Sequence, residues 1–120
     1  MDRALCRKAN FRGAVLEQVE AAHANFIAAN LGETSLLMAN LTEANLSGAD
    51  LSGANLEAAI LKGANLSLAR LTGANLKDVD FTDANWWRAR GLSAGQLALL
   101  IKGSAPGENA PVTLREDYRA

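Results

Sequence analysis

From Phe11 to Trp86 a large apolar residue stands at every fifth position: Phe11, Leu16, Phe26, Leu31, Leu36, Leu41, Leu46, Leu51, Leu56, Leu61, Leu66, Leu71, Leu76, Phe81 and Trp86, with Ala21 as the single gap. Two positions before each lies a small side chain, alanine everywhere except Val19, Thr34 and Val79. A period of five matches neither the 3.6 of an α-helix nor the 2 of a flat strand, so neither element can present this pattern to one side. The chain must turn every five residues. If each unit is a short extended piece followed by a corner, four units close a square, and the chain climbs one strand spacing, about 4.8 Å, per twenty residues. The repeated stretch then makes about four coils, roughly 20 Å tall.

Bulk composition removes several function classes. With 12 basic and 13 acidic residues the formal charge is −1, far from the cationic surface on which a nucleic-acid binder depends. One cysteine, Cys6, cannot close an internal disulfide, and one cysteine with one histidine cannot build a structural zinc site. No apolar run approaches the roughly 18 residues of a membrane span. Met1-Asp2-Arg3-Ala4-Leu5 lacks the apolar core of a signal peptide. The expectation is a cytoplasmic protein that engages neither nucleic acid nor membrane.

Units such as Ala44-Asn45-Leu46-Ser47-Gly48 and Ala54-Asn55-Leu56-Glu57-Ala58 resemble the A(D/N)LXX consensus of the pentapeptide repeat family, over about two thirds of the chain. The resemblance implies an all-β solenoid, a right-handed quadrilateral β-helix, in which the central residue and the small residue before it both point inward. Packing agrees: an interior filled at crystal-like density has space for one large and one small side chain per edge. Residues twenty apart should then stack in compatible columns, and they do. One edge superposes Asn25, Asn45, Asn65 and Asn85 beside Cys6, Phe26, Leu46, Leu66 and Trp86. Stacked asparagines could exchange amide hydrogen bonds from rung to rung. Gly13, Gly48, Gly53, Gly63 and Gly73 read as corner residues rather than a phosphate-binding loop.

The β-helix is expected over 1–92, a C-terminal capping helix over 93–103 and a loop or flexible tail over 104–120. Ser93 and Gln96 have the spacing of a capping box before Leu97-Ala98-Leu99-Leu100-Ile101. This predicts a helix from about Ala94 to Lys102 with Leu97, Leu100 and Ile101 laid on Trp86 or Phe81 and Leu99 outside. Phe11 and Phe26 at one end, and Phe81 and Trp86 at the other, would help to close the tube. No cap precedes the first coil. A second copy could cover that edge, the charges of Asp2, Arg3, Arg7 and Lys8 could discourage pairing, or the chain could be a fragment of a longer array.

Catalysis needs converging groups in a concave site, whereas a filled square tube has flat outer faces. The reading is of a protein that is not an enzyme and has no catalytic residue, cofactor, metal or small-molecule substrate. His23 and Glu43 fall one rung apart and read as a solvated pair. Cys6 reads as a small core residue. Asn40-Leu41-Thr42, Asn45-Leu46-Ser47 and Asn65-Leu66-Ser67 match a glycosylation sequon only as by-products of the repeat.

Outward positions carry what function there is. Two adjacent edges hold Glu17, Glu20, Glu43, Glu57, Asp78, Asp80 and Asp83 against Lys62 and Lys77, seven acidic less two basic; the other two hold Arg12, Arg70, Arg88 and Arg90 against Glu33 and Asp50. Ile27, Leu37, Met38, Ile60, Leu68 and Trp87 are apolar where a monomer needs no apolar surface. Trp87 either lies under the terminal helix or tail, or anchors an interface. Together with Glu17, Glu57 and Asp80 these residues form the candidate interaction surface. The leading reading is a non-enzymatic scaffold binding another protein through its flat faces, or itself as a homodimer through an end.

The resemblance also offers an alternative, since some family members mimic B-DNA and inhibit DNA gyrase, protecting it from quinolones. Magnitude opposes it: 20 Å of duplex carries about 12 phosphate charges, whereas nine acidic and six basic residues between Phe11 and Arg90 leave the coils far less negative.

The inward assignment is directly testable. Leu51→Asp would place a carboxylate without a partner inside the tube and cost about 4 kcal/mol or more; thermal melting should show loss of the folded state, and a soluble, cooperatively melting variant would overturn the assignment.

Overall fold

The computed structural model describes residues 1–103; the expected tail over 104–120 lies outside the described residues. The chain winds as a square tube. Parallel bridges join residues twenty apart without interruption, from Leu5 with Asn25 to Arg70 with Arg90. Each bridge lies at the middle of a face, on the residue between the two inward side chains. The four faces are therefore identified by their middle residues: Leu5, Asn25, Asn45, Asn65 and Asn85 on the first; Asn10, Asn30, Asp50, Arg70 and Arg90 on the second; Val15, Ser35, Asn55 and Asn75 on the third; Glu20, Asn40, Ile60 and Asp80 on the fourth.

All five backbone N–H groups of a regular unit have fixed partners, as the unit around Leu46 shows. Leu46 N–H donates to the Asn65 carbonyl (2.8 Å) and Gly48 N–H to the Ser67 carbonyl (2.9 Å), both in the following coil. Asn45 N–H donates to the Ala24 carbonyl of the preceding coil (2.9 Å), and Ala49 N–H closes the corner on the Leu46 carbonyl (3.0 Å). The remaining N–H, on Ser47, is taken by the side-chain Oδ1 of Asn45 (3.1 Å). The second residue after each central one, from Phe11 to Phe81, takes positive φ, as the third position of a type II turn requires. Non-glycine residues accept this at φ 54 for Glu33 and 61 for Leu68, although left-handed backbone costs them roughly 1 kcal/mol. At Gly53, φ is +69 and an added Cβ would lie 3.1 Å from Glu33 Cγ, so glycine suits that corner for space as well as conformation.

The Asn/Asp column thus acts mainly along its own backbone, and the expected amide ladder is realised in part. Asn75 Nδ2 donates to Asn55 Oδ1 (3.1 Å) and Asn85 Nδ2 to Asn65 Oδ1 (3.4 Å), but Asn10, Asn25, Asn30, Asn40, Asn45, Asn55, Asn65 and Asn75 each accept from the N–H two residues on. A short side chain reaches its own turn more readily than a rung 4.8 Å away. Where face 4 has Glu20 instead, Asp2 Oδ1 accepts from Ala22 N–H across the rung (3.1 Å).

Inside, Leu31 through Leu71 and Phe26, Phe81 and Trp86 are at most 1% exposed, as are most of the paired alanines. Thr34, also at 1%, satisfies its hydroxyl on the Phe11 carbonyl (3.0 Å). At Ala21 the partner position holds Val19, so the unit conserves volume by exchanging the large and small places. Phe11 and Leu16 point inward and pack against the core as expected, but are only half-buried, because the first coil is covered on one side only. Phe11 meets Phe26 edge-on, with ring centroids 6.1 Å apart.

The other end is closed by helix α1, Ala94–Gly103. Its capping box forms as expected, Gln96 N–H on Ser93 Oγ (3.1 Å) and Ser93 N–H on Gln96 Oε1 (2.8 Å). Leu100 is fully buried and Ile101 packs partly on the core, while Leu99 is outside. The expected burial of Leu97 is incorrect; it is 38% exposed. Gln96 takes the inward place. Its Nε2 donates to the carbonyls of Leu71 (2.7 Å) and Ala74 (2.9 Å). One coil earlier the equivalent Ala54 carbonyl accepts from the backbone of Asn75, so the glutamine amide replaces the donor of a coil that the helix cuts off. A leucine could bury more apolar area there but would leave the Ala74 carbonyl without a donor, whereas the Leu71 carbonyl would keep the corner N–H of Ala74 (3.0 Å).

Two predictions follow from these bonds. Gln96→Ala should cost about 2–3 kcal/mol in chemical denaturation, and Gln96→Glu, which keeps the acceptor but loses the donor, should cost no less; Leu97→Ala should cost under about 1 kcal/mol. Asp80 Oδ1 accepts from the Thr82 hydroxyl (2.7 Å) and backbone N–H (3.0 Å), and these bonds hold its carboxyl below the ordinary aspartate value. A depressed folded value means that the contribution is present above the unfolded carboxyl range and is lost as pH falls through the folded value. Asp80→Asn should therefore lose less stability between neutral and acid pH than the parent, as read by denaturation midpoints.

Candidate functional site

A repeat this regular fixes every inward side chain, so chemical variety is confined to the faces and corners. Corner residues are the two that follow each central residue, and the faces place them by the twenty-residue register. The acidic residues expected on two edges resolve into one face with its two bounding corners. Glu17, Glu57 and Asp78 line the corner entering face 4, Glu20 and Asp80 lie on its middle, and Glu43 and Asp83 line the corner leaving it. Face 2, directly opposite, carries Arg70 and Arg90 with Asp50, and its bounding corners carry Arg12, Glu33 and Arg88. The tube is electrically polarised across its width.

Most of the acidic groups are already engaged by neighbours one rung away. Glu17 Oε2 accepts from Ser35 Oγ (2.8 Å) and Glu20 Oε2 from Asn40 Nδ2 (2.9 Å). Lys77 Nζ lies 3.8 Å from Glu57 Oε1. His23 Nδ1 sits 3.2 Å from Glu43 Oε2, which realises the expected pair, and both side chains are largely open to solvent. Exposed pairs of this kind contribute about 0–1 kcal/mol. None of them leaves a carboxylate desolvated and poised for proton transfer. Among the described residues no group of three or more His, Cys, Asp or Glu side chains could hold a metal ion, and no helix is long and apolar enough to cross a membrane.

The apolar outliers separate into two groups. Leu37 and Met38 occupy the corner entering face 4, with Leu37 one rung from Glu17 on one side and from Glu57 on the other. Ile60 lies at the middle of face 4, bridged to Asp80. Six of the nine candidate surface residues thus lie on one side of the tube: Leu37, Met38, Ile60, Glu17, Glu57 and Asp80. Met38 is 53% exposed and Ile60 38%, while Leu37 is half-buried along its corner. Ile27, Leu68 and Trp87 belong to the diagonally opposite corner and cannot share a contact with the first group. Leu68 is 53% exposed, but Ile27 is half-buried and Trp87 packs partly on the core, so these two are less available than their outward positions suggest.

Sequence reasoning passed over two exposed apolar residues, Leu5 at 87% and Val15 at 74%. The signal was present: both stand where other units place Asn or Ser.

Comparison with known proteins agrees with this architecture. The family profile of pentapeptide repeats matches in 8 copies, over residues 1–36, 22–57 and 49–85. No curated protein sequence gives a significant match. A pentapeptide repeat protein from the Arabidopsis thaliana thylakoid lumen superposes with a TM-score of 0.83 at 26% identity, covering 98% of this chain and 86% of its own. The pentapeptide repeat protein Rfr23 of the cyanobacterium Cyanothece 51142 gives 0.72 at 37% identity, over 74% of this chain and 61% of its own. QnrB1, a plasmid-mediated fluoroquinolone resistance protein, is remote, with a TM-score of 0.39 at 18% identity over 82% of this chain and 64% of its own. The two nearer structures are right-handed quadrilateral β-helices, and with a profile that spans most of the repeated stretch, this chain belongs to the pentapeptide repeat family.

Proposed function

We propose that the protein is a non-enzymatic scaffold that binds a basic partner protein through face 4 and the corner leading into it. The observation that supports this most is the placement of Leu37, Met38 and Ile60 among Glu17, Glu57 and Asp80 on the side of the tube that is richest in carboxylates. An apolar centre with a charged surround is the usual composition of a protein contact. The acidic surround would speed the approach of a cationic surface and discourage acidic ones. A rigid ladder loses little conformational freedom on binding, which lowers the entropic cost of a flat contact. Filled interior positions and carboxylates engaged by near neighbours support the reading that the protein performs no catalysis and takes no cofactor or small-molecule substrate.

Mimicry of duplex DNA towards gyrase is supported less well. A duplex presents about one negative charge per 1.7 Å of axis around its full circumference, whereas this tube carries arginines along the face opposite its acidic one.

The full chain should retain a protein partner in affinity capture that Met38→Asp combined with Glu57→Lys fails to retain, and titration with that partner, once purified, should show at least about tenfold weaker binding by the variant. Met38 is an exposed corner position and Glu57 a partly exposed one whose pair with Lys77 lies at the surface, so melting should change by about 1 kcal/mol or less. Equal retention of every partner by the two forms would sink the assignment to this side of the tube.

A further inference from the structure

The last two coils of face 2 are built in a way that works against the fold. In most units the middle residue is Asn or Asp, and its side chain accepts from the N–H two residues on, as at Asn30 and Asp50. Arg70 and Arg90 have no acceptor to offer, so that bond is given up at both. The two arginines are also direct partners across a rung, and among the described residues theirs is the one bridge that pairs like charges. Like charges opposite each other on neighbouring strands are unfavourable. Asp50, bridged to Arg70 from the other side, has its Oδ1 on Ser52 N–H (2.9 Å). Among the described residues no carboxylate forms an ion pair with Arg70, Arg88 or Arg90, whereas most carboxylates of face 4 and its corners have a partner.

The corner leading into face 2 adds apolar surface to this charge. Leu68 is 53% exposed, with half-buried Trp87 and exposed Arg88 one rung on. Leu68 stands at φ 61, where glycine or asparagine is better suited. Its carbonyl accepts from Arg90 Nε (3.0 Å), which holds that guanidinium against the corner. Between the middle of face 1 and the middle of face 2, Asp50 is the only acidic residue in any coil.

We propose that Arg70, Arg88 and Arg90, with Leu68 and Trp87, form a second docking surface, and that it takes an extended acidic segment of another protein with an apolar side chain among its carboxylates. Charge complementarity selects that occupant. A carboxylate set between Arg70 and Arg90 would relieve the like-charge contact, and a guanidinium meets a carboxylate with two parallel N–H donors. All three cations are arginine here, whereas those of the acidic side, Lys62 and Lys77, are lysine. Leu68 and the edge of Trp87 give the segment's apolar residue a contact beside the charges. A nucleic acid is a poorer occupant, because three arginines neutralise only about three phosphates and a duplex presents no side chain to Leu68. The surface lies diagonally across the tube from Met38 and Ile60, so, with the reading given above for face 4, an acidic partner and a basic one could be held at once.

Fluorescence anisotropy of a labelled synthetic peptide of about eight residues, in which single leucines separate pairs of glutamates, reads binding by the purified full chain. The expected result is saturable binding that weakens as salt is raised. Arg70→Asn with Leu68→Asn, which installs at both places a residue that the repeat favours, should weaken binding at least about tenfold and melt no lower than the parent. Arg88→Gln, outside that column, should weaken binding on its own. Replacing the peptide's leucines with serine should also weaken it. The proposal is overturned by an absence of saturable binding, by binding that neither variant alters, or by a double variant that melts below the parent, since the two side chains would then serve the fold. It is overturned equally if the serine peptide or a duplex DNA oligonucleotide binds as tightly as the leucine peptide. None of these results bears on partner capture through Met38 and Glu57, which lie across the tube.

Discussion

Every other feature of this molecule depends on how the five N–H groups of a unit are shared out. Three are committed to neighbouring coils and one to the corner, and the last is taken by the side chain of the unit's own Asn or Asp. In the Asn and Asp units the side chain thus satisfies a corner N–H that no neighbouring coil reaches, while units centred on Val15, Ser35, Ile60 or Arg70 wind the same way without it. Where it is present it also supports the positive φ of the corner: at Glu33 and Leu68 the turn is held from both sides, by the Asx contact before it and the inter-coil bond after it.

Hydrogen bonding between coils makes the tube a stack in which each coil is stabilised by its neighbours, and the two ends therefore need separate solutions. The C-terminal end uses a helix whose Gln96 supplies side-chain donors in place of the missing coil. The first coil has no equivalent among the described residues; it has Asp2 serving Ala22 N–H and an apolar rim. The acidic and basic faces are opposite each other across the tube.

Much of this was legible in the sequence because a period of five has few physical solutions. The inward set, the corner glycines, the capping box and the His23–Glu43 contact all follow from spacing and register. Leu97 was misread because helical periodicity rewards apolar character and does not register that Ala74 presents a carbonyl needing a donor. That Phe11 and Leu16 point inward was legible; that they are only half-buried was not, because a repeat pattern treats every coil alike, whereas burial depends on having a coil on both sides. The candidate surface was legible as a set of residues but not as a place: Met38, Ile60 and Asp80 are dispersed in sequence, and only the register shows that they share a side while Trp87 does not.

The sequence by itself therefore determined the winding, the inward side chains and the family, since an interior this narrow admits one large and one small residue per edge and tolerates little else. Tertiary structure decided how the ends are finished and which outward residues become neighbours. Those outcomes depend on unsatisfied carbonyls, missing coils and alignment across twenty-residue intervals, none of which is a property of any residue or short segment taken alone.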